Sequence, residues 1–316
     1  SIYLAGPPLV KAAIGEDATD EELGGAQTHA EVTGLGEYLC ENDAHAIALT
    51  RELLDKLNWD AAGPARPFAE PLFDEQELMG IVPADEREPY DVREVIARLV
   101  DGSDFLEFKP GYGSETVCGH ARLMGHAVAI IGNNGPIQPE GSTKAAQFMQ
   151  LADQSGTALL FLQNTTGYMV GSAAERGGAI KHGSKMIQAV ANARVPKFTV
   201  VLGGSYGAGN YGMCGRGFDP RFIFAWPSAR TAVMGGAQAA KVMDIVNRSK
   251  LERSGQAANE AALAARSDAP RRRLDKESTA LFGTARLWDD GIIDPRDTRR
   301  LLGLCLAMAA EAEART

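Results

Sequence analysis

Short apolar segments alternate with amphipathic segments along the last two thirds of the chain, and this alternation restricts the fold more than any other feature. Segments with strand character follow one another at residues 116–123, 127–131, 157–163, 198–202 and 222–225. Helical spacing of apolar residues occurs at 91–100, 142–152, 178–192, 238–247 and 298–311. Because strands that alternate with helices are joined by crossover connections, the sequence predicts an α/β domain.

The segments outside this region have a different character. A helix is predicted over 42–57, where four apolar residues fall on one face. Residues 60–90 are rich in proline, glycine and acidic residues and have weak periodicity, which indicates an inter-domain linker. Residues 249–273 are charged and rich in alanine, which predicts a solvated helix or an insertion.

The composition is that of a soluble globular protein, with 45% hydrophobic and 23% charged residues. The 316 residues suffice for one large domain or two smaller ones. A formal net charge of −9 disfavours nucleic acid or an anionic membrane as the main partner. No run approaches the roughly 20 apolar residues that span a bilayer. The chain starts without a signal-peptide pattern and without Met, which suggests a fragment or a processed chain.

The cysteines and histidines do not form a ligand pattern. Cys40, Cys118, Cys214 and Cys305 are scattered, without a Cys-x-x-Cys pair, and the five histidines show no ligand spacing with them. We therefore expect free thiols in a reduced interior and no metal site.

The glycine-rich segment 203–215, directly after the strand at 198–202, matches two well-known motifs. Gly207, Gly209 and Gly212 fit the G-x-G-x-x-G pattern of dinucleotide-binding proteins. That site also needs an acidic residue about 20 positions further on, at the end of the next strand. Residues 225–230 contain no acid, so the dinucleotide interpretation is disfavoured.

The second match is the G-x-S-x-G pattern of serine hydrolases, formed by Gly203, Ser205 and Gly207. In that fold the catalytic histidine follows the serine in the chain. All five histidines precede Ser205, so a Ser–His hydrolase is disfavoured as well.

A third interpretation uses the main chain of the same segment. If a helix begins near Gly207–Asn210, its first N–H groups have no intrahelical partner and favour negative charge. Two such donors can form an oxyanion hole. A tight turn made for close packing explains the glycines equally well. A second glycine-bearing loop, 164–171, follows the strand at 157–163, and both loops are expected at one crevice because parallel strands bind ligands at their carboxyl ends.

Over nearly its whole length the chain resembles the carboxyltransferase β subunits of biotin-dependent acyl-CoA carboxylases. The segments that carry this resemblance are IYLAGPPLV at 2–10, DVREVI at 91–96, IGNNG at 131–135, residues 163–171, HGSKM at 182–186, residues 203–215, WP at 226–227, VMGG at 233–236 and WDDGIIDP at 288–295.

The resemblance implies two fused crotonase-type α/β domains. Residues 1–60 are then the C-terminal tail of the N domain, which binds acyl-CoA, and residues 61–90 are a linker. Residues 91–316 are then the C domain, which receives carboxybiotin. Most of the N domain is absent on this alignment, so the oxyanion hole for acyl-CoA is not expected in this chain.

The resemblance also implies a site. The main-chain N–H groups of Ala208 and Gly209 are expected to stabilise negative charge on the biotin ureido oxygen. On this resemblance, carboxybiotin would release CO2 in the pocket and leave that charge on biotin. The biotin nitrogen would then remove a proton from the acyl-CoA, and the resulting carbanion would attack the CO2. The residues expected to line the biotin pocket are Thr166, Gly167, Val170, Gly171, Tyr206 and Gly207. His182 and Lys185 are expected to be structural or surface residues.

The cofactor and partners follow from the same resemblance. Biotin is expected on an α subunit that holds the biotin carboxylase and biotin carrier parts, and a coenzyme A thioester is the expected substrate. The β subunits are expected to form a hexamer, in the cytoplasm of a bacterium or in the mitochondrial matrix of a eukaryote. No nucleic acid, membrane or metal is expected.

The substrate branch is indicated by residues 207–215, which look like those of methylcrotonyl-CoA and geranyl-CoA enzymes. Residues 164–168 lean toward the geranyl type, and residues 136–142 depart from the usual methylcrotonyl pattern. The expected substrate is therefore a 3-methyl-branched enoyl-CoA. The alternatives are a propionyl- or acetyl-CoA carboxyltransferase, a crotonase-type hydratase or isomerase with Glu175 as its nearest candidate carboxylate, and an inactive fragment that acts only in assembly.

Overall fold

A computed structural model describes residues 1–57, 66–85, 88–254 and 260–315 of the chain. The strands are β1 (Phe105–Phe108), β2 (Thr116–Leu123), β3 (His126–Asn133), β4 (Ala158–Thr165), β5 (Lys197–Tyr206), β6 (Phe222–Ala225) and β7 (Arg230–Ala232). The α-helices are α1 (Pro7–Ile14), α2 (Asp20–Gly24), α3 (Asp43–Lys56), α4 (Leu78–Ile81), α5 (Val92–Ala97), α6 (Pro139–Gln154), α7 (Ser172–Arg176), α8 (Ala179–Asn192), α9 (Gly207–Gly212), α10 (Gly236–Ser254), α11 (Glu260–Glu277), α12 (Ala280–Thr284) and α13 (Thr298–Ala314).

The strands form one sheet in the order β1-β2-β3-β4-β5-β6, and β7 pairs with the carboxyl end of β5. The first three strands are antiparallel, and β3 to β6 are parallel. The parallel strands are connected by α6, by α7 with α8, and by α9, which confirms the predicted α/β crossover pattern. The pattern missed β1 and β7, which have only four and three residues and so show little periodicity.

Apolar side chains cover both faces of the sheet. In β4, Leu160 and Leu162 pack with α5 and α13 on one face, whereas Leu159 and Phe161 pack with α6 and α8 on the other. Successive residues of a strand point to opposite faces. A parallel strand buried on both faces therefore shows a continuous apolar run, which is why this strand was evident in the sequence.

Strand β5 extends beyond its predicted end at residue 202, as far as Tyr206. A Cβ atom on Gly203 would lie 2.6 Å from Asn164 Oδ1, and one on Gly204 would lie 3.0 Å from the Tyr206 ring. Strand β7 pairs alongside, with Ser205 opposite Thr231. These two glycines are therefore strand residues that allow close approach, and the turn proper begins at Gly207.

The described part of the predicted linker, 66–85, packs against the sheet domain. Buried Arg299 donates hydrogen bonds to Leu99 O at 2.7 Å and Ala69 O at 3.0 Å. The same guanidinium pairs with Asp101 at 2.8 Å. Leu78, in α4, is buried in the core. Part of the predicted linker, residues 61–65 and 86–87, lies outside the described residues.

The N-terminal segment docks on the first strands of the sheet. Helix α3 confirms the predicted helix over 42–57, and Asn42 caps it by accepting a hydrogen bond from His45 N at 3.0 Å. Its last residue, Lys56, is buried and pairs with Asp104 next to β1. Lys109 is also buried and donates to Gln147 in α6 at 2.7 Å.

Most of the remaining predictions locate the right helices with shifted ends. The predicted helices over 142–152, 178–192, 238–247 and 298–311 correspond to α6, α8, α10 and α13. The helix predicted over 91–100 is shorter and ends at Ala97. The alanine-rich stretch 249–273 is helical where it is described, in α10 and α11, and residues 255–259 lie outside the described residues. None of the described helices has the length and apolarity needed to cross a bilayer.

Candidate functional site

The two glycine-bearing loops meet at the carboxyl ends of β4 and β5, as the strand pattern predicted. A Cβ atom on Gly209, in α9, would lie 2.8 Å from Gly167 Cα and 3.0 Å from Thr165 Cγ2. Gly167 itself has a φ of +121°, a conformation that favours glycine. The contact between the loops therefore depends on glycine in both of them.

The loop that follows β3 joins the same edge. Ile137 N donates to Gly167 O at 3.0 Å, and Met169 N donates to Ile137 O at 2.9 Å. The loop after β3 is thus hydrogen-bonded to the loop after β4, which packs against α9 after β5, so three consecutive loops form one surface at the carboxyl edge of the sheet.

Helix α9 begins at Gly207, whose φ is +54°, with Tyr206 as its N-cap residue. Ala208 and Gly209 occupy the second and third helical positions, where N–H groups have no intrahelical partner. Within the described residues no acceptor is hydrogen-bonded to either amide. The sequence of α9, GAGNYG, contains no acidic or basic residue, so the helix start presents main-chain donors alone.

Ser205 is unsuited to act as a nucleophile. Its side chain is fully buried, and its Oγ accepts a hydrogen bond from Asn210 Nδ2 at 2.7 Å. His182 is partly buried on α8, where its Nδ1 lies 3.2 Å from Lys185 Nζ. The geometry agrees with the sequence-based exclusion of a Ser–His hydrolase and with a structural or surface role for His182 and Lys185.

Tyr168 connects the loop 164–171 to helices α8 and α9. Its hydroxyl lies 3.5 Å from Gly183 O, and a Cβ atom on Gly212 would overlap that hydroxyl. Burial of the ring raises the pKa of Tyr168, so the phenol stays neutral. Tyr168 therefore packs into the space left by two glycines, one on each helix.

The structure places the other predicted pocket residues around this contact. Thr166, Val170, Gly171 and Ala208 are exposed, Gly207 is partly buried, and Gly167 and Gly209 are buried between the loops. Val170 presents an apolar side chain that is 76% exposed. The Tyr206 ring is 5% exposed and folds back over Gly204, so Tyr206 contributes to this surface mainly through its main chain.

Sequence reasoning missed the amide side chains that support these loops. Asn164 Oδ1 accepts from Gly204 N at 2.8 Å, and Asn133 Oδ1 accepts from Asn164 N at 3.3 Å. Gln163 is fully buried, and its Nε2 lies 3.5 Å from Asn210 O. Asn133, Gln163 and Asn164 stand at or beside the ends of β3 and β4. An amide side chain at the end of an apolar strand was therefore the sequence signal that could have identified them.

The cysteines and the possible metal ligands lie as follows in the described residues. All four cysteines are free, and burial raises the pKa of Cys118 to about 12 and of Cys214 to about 11, which leaves these thiols protonated. In the described ranges, no three His, Cys, Asp or Glu side chains lie together as metal ligands.

Comparison with known proteins assigns the chain and its fold to a family. All residues from 1 to 316 match the family model described as the carboxyl transferase domain. The chain belongs to the carboxyl transferase family. Its mixed α/β sheet is the crotonase-like fold of carboxyltransferase structures.

Three carboxyltransferases illustrate the similarity. A probable biotin-dependent acyl-CoA carboxylase β2 subunit of Mycobacterium tuberculosis is 55% identical over 311 residues, which cover 98% of this chain and 59% of that protein. The biotin-dependent 3-methylcrotonyl-CoA carboxylase β1 subunit of the same organism is 47% identical over 318 residues, which cover 99% of this chain and 59% of that protein. The geranyl-CoA carboxylase β subunit of P. aeruginosa, known from a crystal structure, is 61% identical, with a TM-score of 0.75. The match covers 98% of this chain and 58% of that chain. The chain therefore spans only 58–59% of the length of these relatives.

Proposed function

We propose that this chain carries the carboxybiotin side of a carboxyltransferase that moves a carboxyl group from biotin to an acyl-CoA. The observation that carries the proposal is the pair of amides at Ala208 and Gly209, which have no acceptor among the described residues and lie where the two glycine-bearing loops meet. Membership of the carboxyl transferase family supports the same chemistry.

The residues present fit the ureido group of biotin. The ureido group of biotin is neutral and carries a carbonyl oxygen, and the fused ring is apolar. The main-chain donors of α9 suit such an oxygen, and Val170, in the loop 164–171, offers an exposed apolar side chain. When bound, biotin on its carrier supplies the activated carboxyl group, because the hard chemistry belongs to the cofactor.

The role proposed for this chain is electrostatic. The N–H groups of Ala208 and Gly209 stabilise negative charge that develops on the oxygen held between them. Loss of one such donor typically costs about 2.7–4 kcal/mol of transition-state stabilisation. Tyr206 and Gly207 set the start of α9, and Thr166, Gly167, Val170 and Gly171 form the facing wall. No side-chain base is required from this chain.

The proposed substrate is a 3-methyl-branched enoyl-CoA. The identity to the geranyl-CoA and 3-methylcrotonyl-CoA subunits supports this branch over the propionyl and acetyl types. We further propose that residues 1–60 are the tail of an acyl-CoA-binding domain, that 61–90 link the domains, and that 91–316 form the carboxybiotin domain. The proposed assembly is a hexamer of β subunits with a biotin carboxylase and biotin carrier α subunit, in a bacterial cytoplasm or a mitochondrial matrix.

The proposal is tested by bicarbonate incorporation. The full-length subunit and its biotinylated partner should fix labelled bicarbonate into methylcrotonyl-CoA or geranyl-CoA. The reaction should require ATP and should be blocked by avidin. Propionyl-CoA and acetyl-CoA serve as the competing substrates. Failure with all four thioesters would contradict the proposed activity, and hydration of crotonyl-CoA without biotin would favour a hydratase instead.

A further inference from the structure

Helix α9 has little stability of its own. Three of its six residues are glycine, the least favourable helix former after proline. So short a helix does not form on intrinsic propensity, and its orientation must come from contacts with the rest of the protein. Such contacts also fix the direction of its first amides.

Asn210 makes the polar contacts that tie α9 to the strands beneath it. Its Nδ2 donates to Ser205 Oγ at 2.7 Å. Its main-chain oxygen accepts from Gly215 N at 2.7 Å, and Gln163 Nε2 lies 3.5 Å from the same oxygen. A Cβ atom on Gly215 would overlap Asn210 Oδ1, so the returning chain packs directly on the amide group. Asn210 therefore links the end of β4, the end of β5 and the exit of α9.

The partners of Asn210 are deeply buried. Ser205 and Gln163 are fully buried, and Gln163 Oε1 has no hydrogen-bond partner in the part of the chain that the structure describes. Native proteins rarely leave a buried amide oxygen unpaired, and such an atom calls for an explanation. The orientation of Gln163 is explained if its Nε2 is needed at Asn210 O.

We propose that Asn210 is the positioning residue of the site, and that its bond to Ser205 holds the first turn of α9 so that the Ala208 and Gly209 amides converge on one oxygen. This inference rests on the proposed function. Asn210 acts through the helix, because its side chain is bonded inward to Ser205 and is not left free to contact a substrate. Catalytic donors must be held within roughly 0.5 Å and 10–20° of their productive geometry, which a helix half made of glycine cannot ensure alone.

The test removes each side of this bond in the full-length enzyme with its biotinylated partner. The variants are Asn210→Ala, Ser205→Ala and the double substitution. The controls are Asn192→Ala and Ser184→Ala on α8, at an exposed and a partly buried residue whose side chains donate to Gln188 O at 2.8 Å and Lys181 O at 2.9 Å. Carboxylation kcat is measured per folded protein, together with KM for the acyl-CoA and the thermal midpoint.

Both single variants should lower kcat by at least about tenfold while KM for the acyl-CoA stays within about twofold, because the lost orientation matters mainly in the transition state. The double variant should be no slower than the worse single variant, because both substitutions delete the same bond. The controls should retain the parental kcat. The positioning role would be overturned if the parent enzyme carboxylates and the Asn210→Ala and Ser205→Ala variants keep its kcat. The same holds if these variants lose activity only in proportion to unfolded protein. Either result would leave the proposed function intact. A parent enzyme without carboxylation would instead reject the proposed function.

Discussion

Gly209 is the residue with the least freedom to change in the proposed site. A Cβ atom there would lie 2.8 Å from Gly167 Cα, which is main chain and cannot rotate away. Overpacking of this kind typically costs about 1–3 kcal/mol. We expect Gly209→Ala to destabilise the protein by that amount, measured by chemical denaturation, and to abolish carboxylation because the two loops separate.

Gly217 provides the matched control for this substitution. It is also a glycine of the segment that follows β5, but no atom lies within 4 Å of a Cβ built on it. Gly217→Ala should change the free energy of unfolding by less than about 0.5 kcal/mol. Equal effects of the two substitutions would show that the contact between the loops is not restrictive.

His120, in β2, gives the stability a defined pH dependence. The imidazole packs against Phe148 with ring centroids 4.9 Å apart, and burial lowers the pKa of His120 to about 4. The unfolded chain binds this proton near pH 6.5, so the stability contribution of the neutral ring is complete above that pH. It is lost as the pH falls from about 6.5 toward 4, by about 3 kcal/mol in total.

We therefore expect chemical denaturation to show a decline in the free energy of unfolding between pH 7 and pH 5. His120→Gln should lower the stability at pH 7 but flatten this decline, because glutamine does not titrate. His45→Gln, at an exposed histidine, should leave the decline unchanged. If the decline is unchanged in the His120→Gln variant, the pH dependence of the unfolding free energy comes from other groups.

At the scale of elements, the Tyr168 ring packs against α9 and adds an apolar contact to the polar ones made by Asn210. A Cβ atom on Gly212 would overlap the Tyr168 hydroxyl, and its next neighbours are Tyr168 Cζ at 3.2 Å and Met186 Sδ at 3.3 Å. Gly212→Ala should therefore lower the thermal midpoint by several degrees, since about 1 kcal/mol corresponds to roughly 2–4 °C in a domain of this size.

Tyr168→Phe should rescue the Gly212→Ala variant, because phenylalanine lacks the overlapping oxygen. Its own cost should be small, since the hydroxyl makes only a 3.5 Å contact with Gly183 O. The thermal midpoint of the double variant is expected to lie between those of Gly212→Ala and the parent. A double variant less stable than Gly212→Ala alone would contradict this packing of Tyr168.

The elements differ in how well the sequence predicts them, for physical reasons. β2 was predicted with its observed ends, Thr116 and Leu123, because nearly all its residues are buried. β5 was predicted too short because Gly203 and Gly204 look like turn residues. They are strand residues whose missing side chains let Asn164 and Tyr206 pack closely against the strand. The start of α9 near Gly207 was predicted, because a glycine turn after a strand commonly begins a helix.

The support of the site was not predictable from one sequence. Asn210, Ser205 and Gln163 come from α9 and two different strands, and their hydrogen bonds depend on the register between those strands. Periodicity gives the face of each residue but not its partner across the sheet. The meeting of the two glycine-bearing loops, by contrast, followed from their positions after β4 and β5, whereas the pocket residues rest on the family resemblance and stay a prediction.

At the scale of the whole molecule, Arg299 joins parts of the chain that are far apart in sequence. It connects α13 to Ala69 in the segment after α3 and to Asp101 before β1. Both Arg299 and Asp101 are largely buried in this pair. Removing one partner of a buried ion pair leaves an uncompensated charge and typically costs about 3–5 kcal/mol.

Arg299→Met should therefore destabilise the protein by about 3–5 kcal/mol in chemical denaturation. Arg300→Met, at an exposed arginine paired with Asp297, should cost less than about 1 kcal/mol. Limited proteolysis should also cut the segment 66–85 faster in the Arg299 variant. Equal stability of the two variants would show that this segment docks independently of Arg299.

The central claim is that the main-chain amides at the start of α9 stabilise charge during carboxyl transfer. Ala208→Pro tests it most directly, because proline is tolerated in the first helical turn and deletes one N–H without adding a charge. Ala44→Pro, at the same helical position of α3 and exposed, is the control for inserting proline. The measurement is carboxylation kcat of the full-length enzyme with its biotinylated partner. We expect Ala208→Pro to lower kcat about 100- to 1,000-fold, and Ala44→Pro to leave it unchanged. A folded Ala208→Pro enzyme within about threefold of the parental kcat would contradict the claim.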